Sequence, residues 1–271
     1  MKSFGNYSDK DVKEDIKLFF QDNNHWVYQY GGLSSCDINS PYHRKQIEVL
    51  FEDRYWHWVT DRAVNTLLKE GFLKEEIRMI DNVPIRFVYR YNIRRIKREI
   101  NKRVKLIKRY SNPIITKAVG NYAEIIFKFM FRAHNFEIAA RNTNEYCGKK
   151  WEQTSHDLDF IIRKDDIAYG IEIKNTLSYM ERDEFDIKLK ICKELDLVPL
   201  FILRSAPGNQ FDEINKAGGF ILRFKTQIYP PGQEELVKDI WDLMRLPVNV
   251  WKDIPPKIEE IFLREHRKRT I

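Results

Sequence analysis

In the stretch His156-Asp157-Leu158-Asp159-Phe160-Ile161-Ile162, Arg163-Lys164-Asp165-Asp166, Ile167-Ala168-Tyr169-Gly170-Ile171-Glu172-Ile173-Lys174, two apolar runs flank a charged turn. Each run has strand-like composition and length. Each also carries a carboxylate, Asp159 or Glu172, where an apolar residue would suit a buried sheet better. Lys174 follows Glu172 by two residues, so both side chains project from one face of their strand. Hard oxygen ligands of this kind suit Mg²⁺, which takes one or two carboxylates and fills the rest of its shell with water and substrate. The carbonyl oxygen of Ile173, between Glu172 and Lys174, is a further candidate ligand. Lys174 is placed to orient a nucleophilic water and to offset charge developing at a phosphate. Asp157 competes with Asp159 as the ligand, and Asp159 is preferred because the apolar run begins directly after it. The alternative is an ordinary antiparallel hairpin in which Glu172 and Lys174 face solvent.

Upstream, Ile115 to His134 has helical spacing, with Ala118, Ala123, Ile126, Phe127 and Met130 available for packing and Glu124 among apolar neighbours. A strand is expected at Phe136 to Ala140 and a polar loop from Asn142 to Gln153. Downstream come a helix from Asp183 to Leu195 and strands at Val198 to Leu203 and Gly218 to Phe224. Helix, three strands, helix, strand predicts a mixed sheet flanked by helices. Arg182, Lys188, Lys190 and Lys193 are equally well read as cations facing nucleic acid or as a solvated helix face.

This half resembles the PD-(D/E)xK nuclease superfamily, with its restriction-endonuclease-like fold, over roughly residues 115–205. The motif is carried by Asp159 and Glu172-Ile173-Lys174. Leu158 stands where some members have proline. The family often adds a glutamate from the helix before the first core strand, and Gly120-Asn121-Tyr122-Ala123-Glu124 fits that place. The resemblance therefore implies that Glu124 holds a second metal or a metal-bound water. It also implies Mg²⁺ as cofactor, with Mn²⁺ an expected substitute, DNA as substrate, and a homodimer where both strands are cut. No match to the glutamine motif of the exonuclease branch is present.

The N-terminal half has a different pattern. Val12, Ile16, Phe19 and Phe20 give helical spacing over residues 9–22, and Trp26 to Tyr30 reads as a strand ended by Gly31-Gly32. Ser40-Pro41 is a helix-start signal for residues 42–52. Thr60 to Glu70 reads as a helix closed by Gly71. Phe72 to Ile80 and Ile85 to Tyr91, joined by Asp81-Asn82-Val83-Pro84, read as a hairpin. The order is similar to a winged helix-turn-helix domain, in which the second helix of the pair enters the major groove. That resemblance implies groove contacts from Thr60, Asp61, Arg62, Asn65 and Thr66 and wing contacts from Arg86 and Arg90. Many such domains bind proteins instead. Residues 92–110 predict a basic helix, with Ile93, Ile96, Ile100, Val104 and Ile107 as its apolar stripe. Arg94, Arg95, Arg98, Lys102 and Arg103 are among its cations, suited to phosphate contact or to a solvated connector. Ser111-Asn112-Pro113 marks a domain boundary.

The expected organisation is α/β (α+β): a winged-helix domain at 1–91, a basic linker helix at 92–112, a nuclease domain at 113–229 and a helical basic tail at 230–271. The chain has 271 residues, 43% of them hydrophobic, and a formal net charge of +7, which favours a polyanionic partner. Ribosomal and membrane-surface proteins share such a balance. No apolar run reaches the roughly 18 residues of a membrane span. The first residues, Met1 to Asn6, lack the apolar region of a signal peptide. Cys36, Cys147 and Cys192 form neither a disulfide framework nor a zinc pattern, so a reducing cytoplasm is expected. His156 beside Asp157 is a candidate for proton transfer or simply a polar surface group. His25, His43, His57, His134 and His266 have no ligand-like spacing, and Cys147 has no evident histidine partner. There is no GxxxxGK[ST] loop, hence no expectation of a nucleotide cofactor. A metal-dependent DNA endonuclease leads. A DNA-binding regulator with a silent nuclease fold and an RNA-processing nuclease are the alternatives.

Overall fold

The computed structural model describes residues 7–22, 26–29, 32–35, 37–90 and 93–270, with main chain alone at 26–29 and 32–35. His25, Tyr30, Gly31, Cys36, Tyr91, Asn92 and the first six residues lie outside the described residues. The chain forms two compact units, Met1–Thr116 with Glu234–Val248, and Lys117–Gln233 with Asn249–Ile271. The division falls just beyond the Ser111-Asn112-Pro113 break. The class is mixed α/β, as expected.

In the first unit, helix α1 (Asp9–Phe19) starts from a capping box in which Ser8 and Asp11 satisfy each other's backbone N–H groups. Short strands β1 (Trp26–Gln29) and β2 (Gly32–Ser35) pair antiparallel, so Gly32 opens a strand rather than ending one. Strand β3 (Tyr42–His43) precedes helix α2 (Arg44–Phe51), and the helix expected from Ser40-Pro41 thus begins later. The reason is local. The Ser40 hydroxyl donates to the Asp37 carboxylate at 2.8 Å and closes a turn, while Tyr42 is buried with Phe19 and Phe20 and pairs with Val88. Helix α3 (His57–Lys69) starts three residues before the expected Thr60. Its end is a Schellman motif, with Gly71 at φ +71° and Phe72 N–H donating to Leu67 O.

Strands β4 (Lys74–Ile80) and β5 (Val83–Tyr89) form the hairpin, closed by Asp81-Asn82 alone, both at positive φ, with Val83 and Pro84 already in the strand. The sheet order is β3-β5-β4. Helix α4 (Ile96–Tyr110) begins after Arg95, so Ile93 stands outside it. Ile100, Leu106 and Ile107 are buried on it, and so is Arg103, whose guanidinium donates to Glu99 O at 3.2 Å. Arg103 is therefore not among the exposed cations.

In the second unit, helix α5 (Pro113–Ala133) leads into β6 (Glu137–Thr143). The expected polar loop contains a small hairpin, β7 (Glu145–Tyr146) and β8 (Lys149–Lys150). Then follow β9 (Leu158–Lys164), β10 (Ile167–Lys174), α6 (Arg182–Glu194), β11 (Val198–Leu203), α7 (Gly208–Lys216) and β12 (Phe220–Arg223). The five-stranded sheet has order β12-β11-β10-β9-β6. β6, β9 and β10 are antiparallel neighbours, and β10, β11 and β12 run parallel. The β9–β10 turn is Asp165-Asp166, both at positive φ, a geometry that short acidic side chains tolerate.

Strand β13 (Gln227–Tyr229), helix α8 (Glu234–Met244), strand β14 (Val248–Val250) and helix α9 (Pro256–Arg267) complete the chain. The tail expected at 230–271 is therefore divided. Helix α8 belongs to the first unit, where Asp239 pairs with Arg109 at 2.6 Å. Helix α9 joins α5 on one face of the large sheet, through Ala123, Phe127, Phe131, Ile258 and Phe262. Helices α6 and α7 cover the other face through Phe185, Ile191, Cys192 and Ile214. Of the basic residues in that expected tail, Arg269 donates to Gly219 O at 2.9 Å and stacks over Phe220.

Two glycines give opposite expectations. A Cβ on Gly219 would stand 2.1 Å from the backbone oxygen of Pro199, whereas one on Gly120, in α5, meets nothing within 4 Å. Gly219→Ala should destabilise by about 1–3 kcal/mol. Gly120→Ala should stabilise by about 0.5–1 kcal/mol. Urea melts of both variants check the pair.

Candidate metal centre

The candidate residues gather where pairing of the β9–β10 hairpin stops. Residue pairing runs from Lys164↔Ile167 to Phe160↔Ile171. Past that point the Ile173 N–H donates to Asp159 Oδ2 at 2.6 Å, so a side chain bridges the parting strands. Glu172 and Lys174 continue beside β11, opposite Phe201 and Leu203.

Glu172 is only 2% exposed and does not face solvent, unlike the glutamate of an ordinary surface hairpin. Its face of β10 also carries Gly170, where a Cβ would come within 2.7 Å of Cys192 Sγ. The absent side chain lets α6 approach, and Lys188, one turn before Cys192, comes over Glu172. The Lys188 ammonium stands 2.5 Å from Glu172 Oε2 and also donates to the Asp157 carbonyl. Lys174 Nζ lies 3.4 Å from Glu172 Oε1 and 2.7 Å from Glu184 Oε1.

Burial pushes the Asp159 carboxyl up to about 6, with the Ile173 N–H opposing and Glu124 adding to the rise. Burial, then the charge of Asp159, pushes Glu172 up to about 7, against Lys188 and Lys174. Glu124, half-buried on α5, is also raised by burial; Arg141 opposes, and Glu172 and Asp157 add to the rise. The structure thus brings Glu124, Asp159, Glu172 and Lys174 into one electrostatic neighbourhood. Asp157 precedes β9 and contributes its backbone carbonyl to Lys188.

Among the described residues, no three His, Cys, Asp or Glu side chains are grouped so as to hold a metal ion. The donor chemistry still suits Mg²⁺, which needs only one or two carboxylates. Glu172 Oε2 is taken by the Lys188 ammonium, but Asp159 accepts the Ile173 N–H through Oδ2 and its other oxygen, with Glu172 Oε1, is left to face an ion.

Three further residues shape the site. Glu184 anchors Lys174, and Lys188 is 4% exposed, not a surface cation. Its signal was present in sequence: Phe185, Lys188, Ile191 and Cys192 form the buried stripe of α6, and a lysine on such a stripe needs an anionic partner. Asn175 is buried and donates to Val119 O on α5 and to Ile228 O, tying the end of β10 to the helix that carries Glu124. His156 accepts or donates at 3.0 Å to Thr154 Oγ1, which also bonds Trp151, and this fixes the loop before β9.

The expected DNA contacts divide. Thr60 is fully buried in the first unit and cannot reach a groove, because it shares the face of α3 that carries buried Ala63, Val64 and Leu67. Asn65 and Asp61 are held by Arg44, and Thr66 bonds the Arg62 carbonyl. Arg62 pairs with Asp9 at 2.9 Å and Arg86 with Glu75 at 2.8 Å, both on the surface. Arg90 lies over the Phe72 ring. Arg94, Arg95, Arg98 and Lys102 are exposed, Lys102 pairing with Glu99. Among the described residues, no helix is long and apolar enough to cross a membrane.

Comparison with protein-family models, curated proteins and solved structures returns no match.

Proposed function

We propose that this chain is a Mg²⁺-dependent DNA endonuclease, with a winged-helix reader in its first unit and a PD-(D/E)xK catalytic core in its second. The observation that carries the proposal is the convergence of Asp159, Glu172 and Lys174 where β9 and β10 part, with Glu124 of α5 in their electrostatic neighbourhood. The order α5-β6-β9-β10-α6-β11 and the mixed sheet support the nuclease core. The order α1-β3-α2-α3-β4-β5 and the three-stranded sheet support the reader.

Asp159 and Glu172 would hold the ion, with the Ile173 carbonyl as a further ligand and Glu124 nearby. The ion supplies charge neutralisation at phosphate and acidifies a water. Lys174, kept charged and in place by Glu184 and Glu172, orients the nucleophile and offers its ammonium to the phosphate. Cutting both strands calls for two copies of the chain.

The test is incubation with supercoiled plasmid and Mg²⁺, repeated with EDTA and with Asp159→Ala. Metal-dependent nicking lost in both controls is the expected result. Nicking that survives both sinks the proposal, as does binding without cutting across duplexes, junctions and flaps. The second outcome favours a silent, DNA-binding fold, a reading supported by the two ammonium groups already on Glu172. Cutting confined to a parallel RNA incubation would mark an RNA nuclease.

The exposed cations at the start of α4 give a separate expectation. Replacing Arg94, Arg95 and Arg98 together by Ala should weaken DNA binding evenly across sequences and reduce the salt slope by about 3. Thr60→Ser should leave affinity unchanged. Gel shifts at several salt concentrations measure both.

A further inference from the structure

Lys188 is a buried cation at the candidate centre that the nuclease motif does not use. It sits on the apolar stripe of α6, brought down by the bare backbone of Gly170. Its ammonium contacts Glu172 Oε2 at 2.5 Å and the Asp157 carbonyl, and Lys174 stands at the other oxygen of Glu172. A carboxylate that shares two divalent ions must leave lone pairs open to both. Here one oxygen of Glu172 already faces a fixed positive charge, and a second divalent ion there would meet like charge at close range in a medium that screens poorly. The ammonium is held from two sides and has almost no solvent to retreat into.

We propose that Lys188 takes the place of a second metal, so that the chain binds one divalent ion, held by Asp159 and Glu172, with the ammonium as a permanent cation beside it. The inference rests on the metal-dependent reading above and specifies its stoichiometry. Glu124 is then left to act on water or substrate rather than to hold a second ion.

The test counts Mn²⁺ bound to the full chain at pH 8, by the electron paramagnetic resonance signal of the free ion. The expected result is one Mn²⁺ per chain for the native protein and for Lys188→Arg, and two for Lys188→Met. Lys188→Gln, which keeps a donor for the Asp157 carbonyl, gives the same count of two where Lys188→Met does not fold. Two ions on the native chain, both lost in Asp159→Ala, overturn this inference and leave the nuclease reading standing. A neutral variant that stays at one ion overturns it equally. No ion on the native chain overturns the inference and the metal-dependent reading together, and the plasmid assay then shows no Mg²⁺-dependent cutting.

Discussion

Asp159→Asn should stabilise the metal-free protein at pH 8 by about 2 kcal/mol and lower metal-dependent cutting roughly 1000-fold. The two effects have one cause. Above neutral pH, Asp159 is ionised beside Glu172, and its carboxyl is raised from 3.8 to about 6, chiefly by burial. Each unit of such a rise costs the folded state about 1.4 kcal/mol. The amide removes the charge and keeps the shape. Its oxygen still accepts the Ile173 N–H that spans the parting strands at 2.6 Å, so the local backbone is retained. That rise already includes the opposing attraction of Lys188 and Lys174, and burying the amide N–H group takes back part of the gain, which leaves about 2 kcal/mol. The same neutral amide is a poor ligand for a hard cation, hence the loss of cutting. Stability held below its optimum by a functional group is a common trade. Urea melts in EDTA and plasmid nicking measure the two halves. A destabilised variant that still cuts would falsify the assignment of Asp159.

What the sequence made legible here, and what it hid, follows from the range of the forces involved. The β9–β10 hairpin is local: two apolar runs with an acidic two-residue turn, and Asp165-Asp166 adopts the left-handed conformation that such a turn requires. Asp159, Glu172 and Lys174 sit within it, so their meeting depends on one strand register. Lys188 depends on a helix packing over a strand, made close by Gly170, and nothing near it in the chain announces Glu172 as its partner. Its place on the stripe with Phe185, Ile191 and Cys192 is visible in sequence, but a lysine is discounted when apolar periodicity is read. Thr60 shows the opposite error. Thr60 precedes Ala63, Val64 and Leu67 at helical spacing and shares their buried face, and a polar residue on that stripe is taken for a groove contact. At Ser40-Pro41 a sound local signal loses to tertiary packing, because Tyr42 gains more as a buried extended residue than as the first turn of a helix. The division of the 230–271 tail between units is non-local and left no mark in composition.

The raised carboxyls also set a pH dependence opposite to that of surface acids. An ordinary paired carboxylate stabilises the fold as pH rises. Asp159 and Glu172, pushed up to about 6 and about 7, bind protons more tightly in the folded chain than in the unfolded one, where values near 4 apply. Between about pH 4 and pH 7 the folded state therefore holds the extra protons, and stability falls as pH rises through that window. Below it both states are protonated and the contribution is fully present. Above it the contribution is gone. Because the rise of Glu172 contains the charge of Asp159, the two do not add in full, and the expected loss in EDTA is about 3 kcal/mol. Asp159→Asn should remove its own share of that drop and part of the share of Glu172, whose burial keeps the remainder. Mg²⁺ at 100 times its dissociation constant should restore about 2.7 kcal/mol at pH 8 and nothing at pH 4, since protons and metal compete for the same oxygens. Cutting should rise up to a hundredfold per pH unit below about pH 6, where both carboxyls must lose a proton, and up to tenfold per unit from there to about pH 7. The measurement is the urea midpoint from pH 4 to 8, with EDTA and with Mg²⁺, for the native chain and Asp159→Asn. A native midpoint in EDTA that is flat across the window, or that climbs with pH in parallel with the variant, would mean that the two carboxylates are well solvated and that the centre is not the buried, charge-strained site described here.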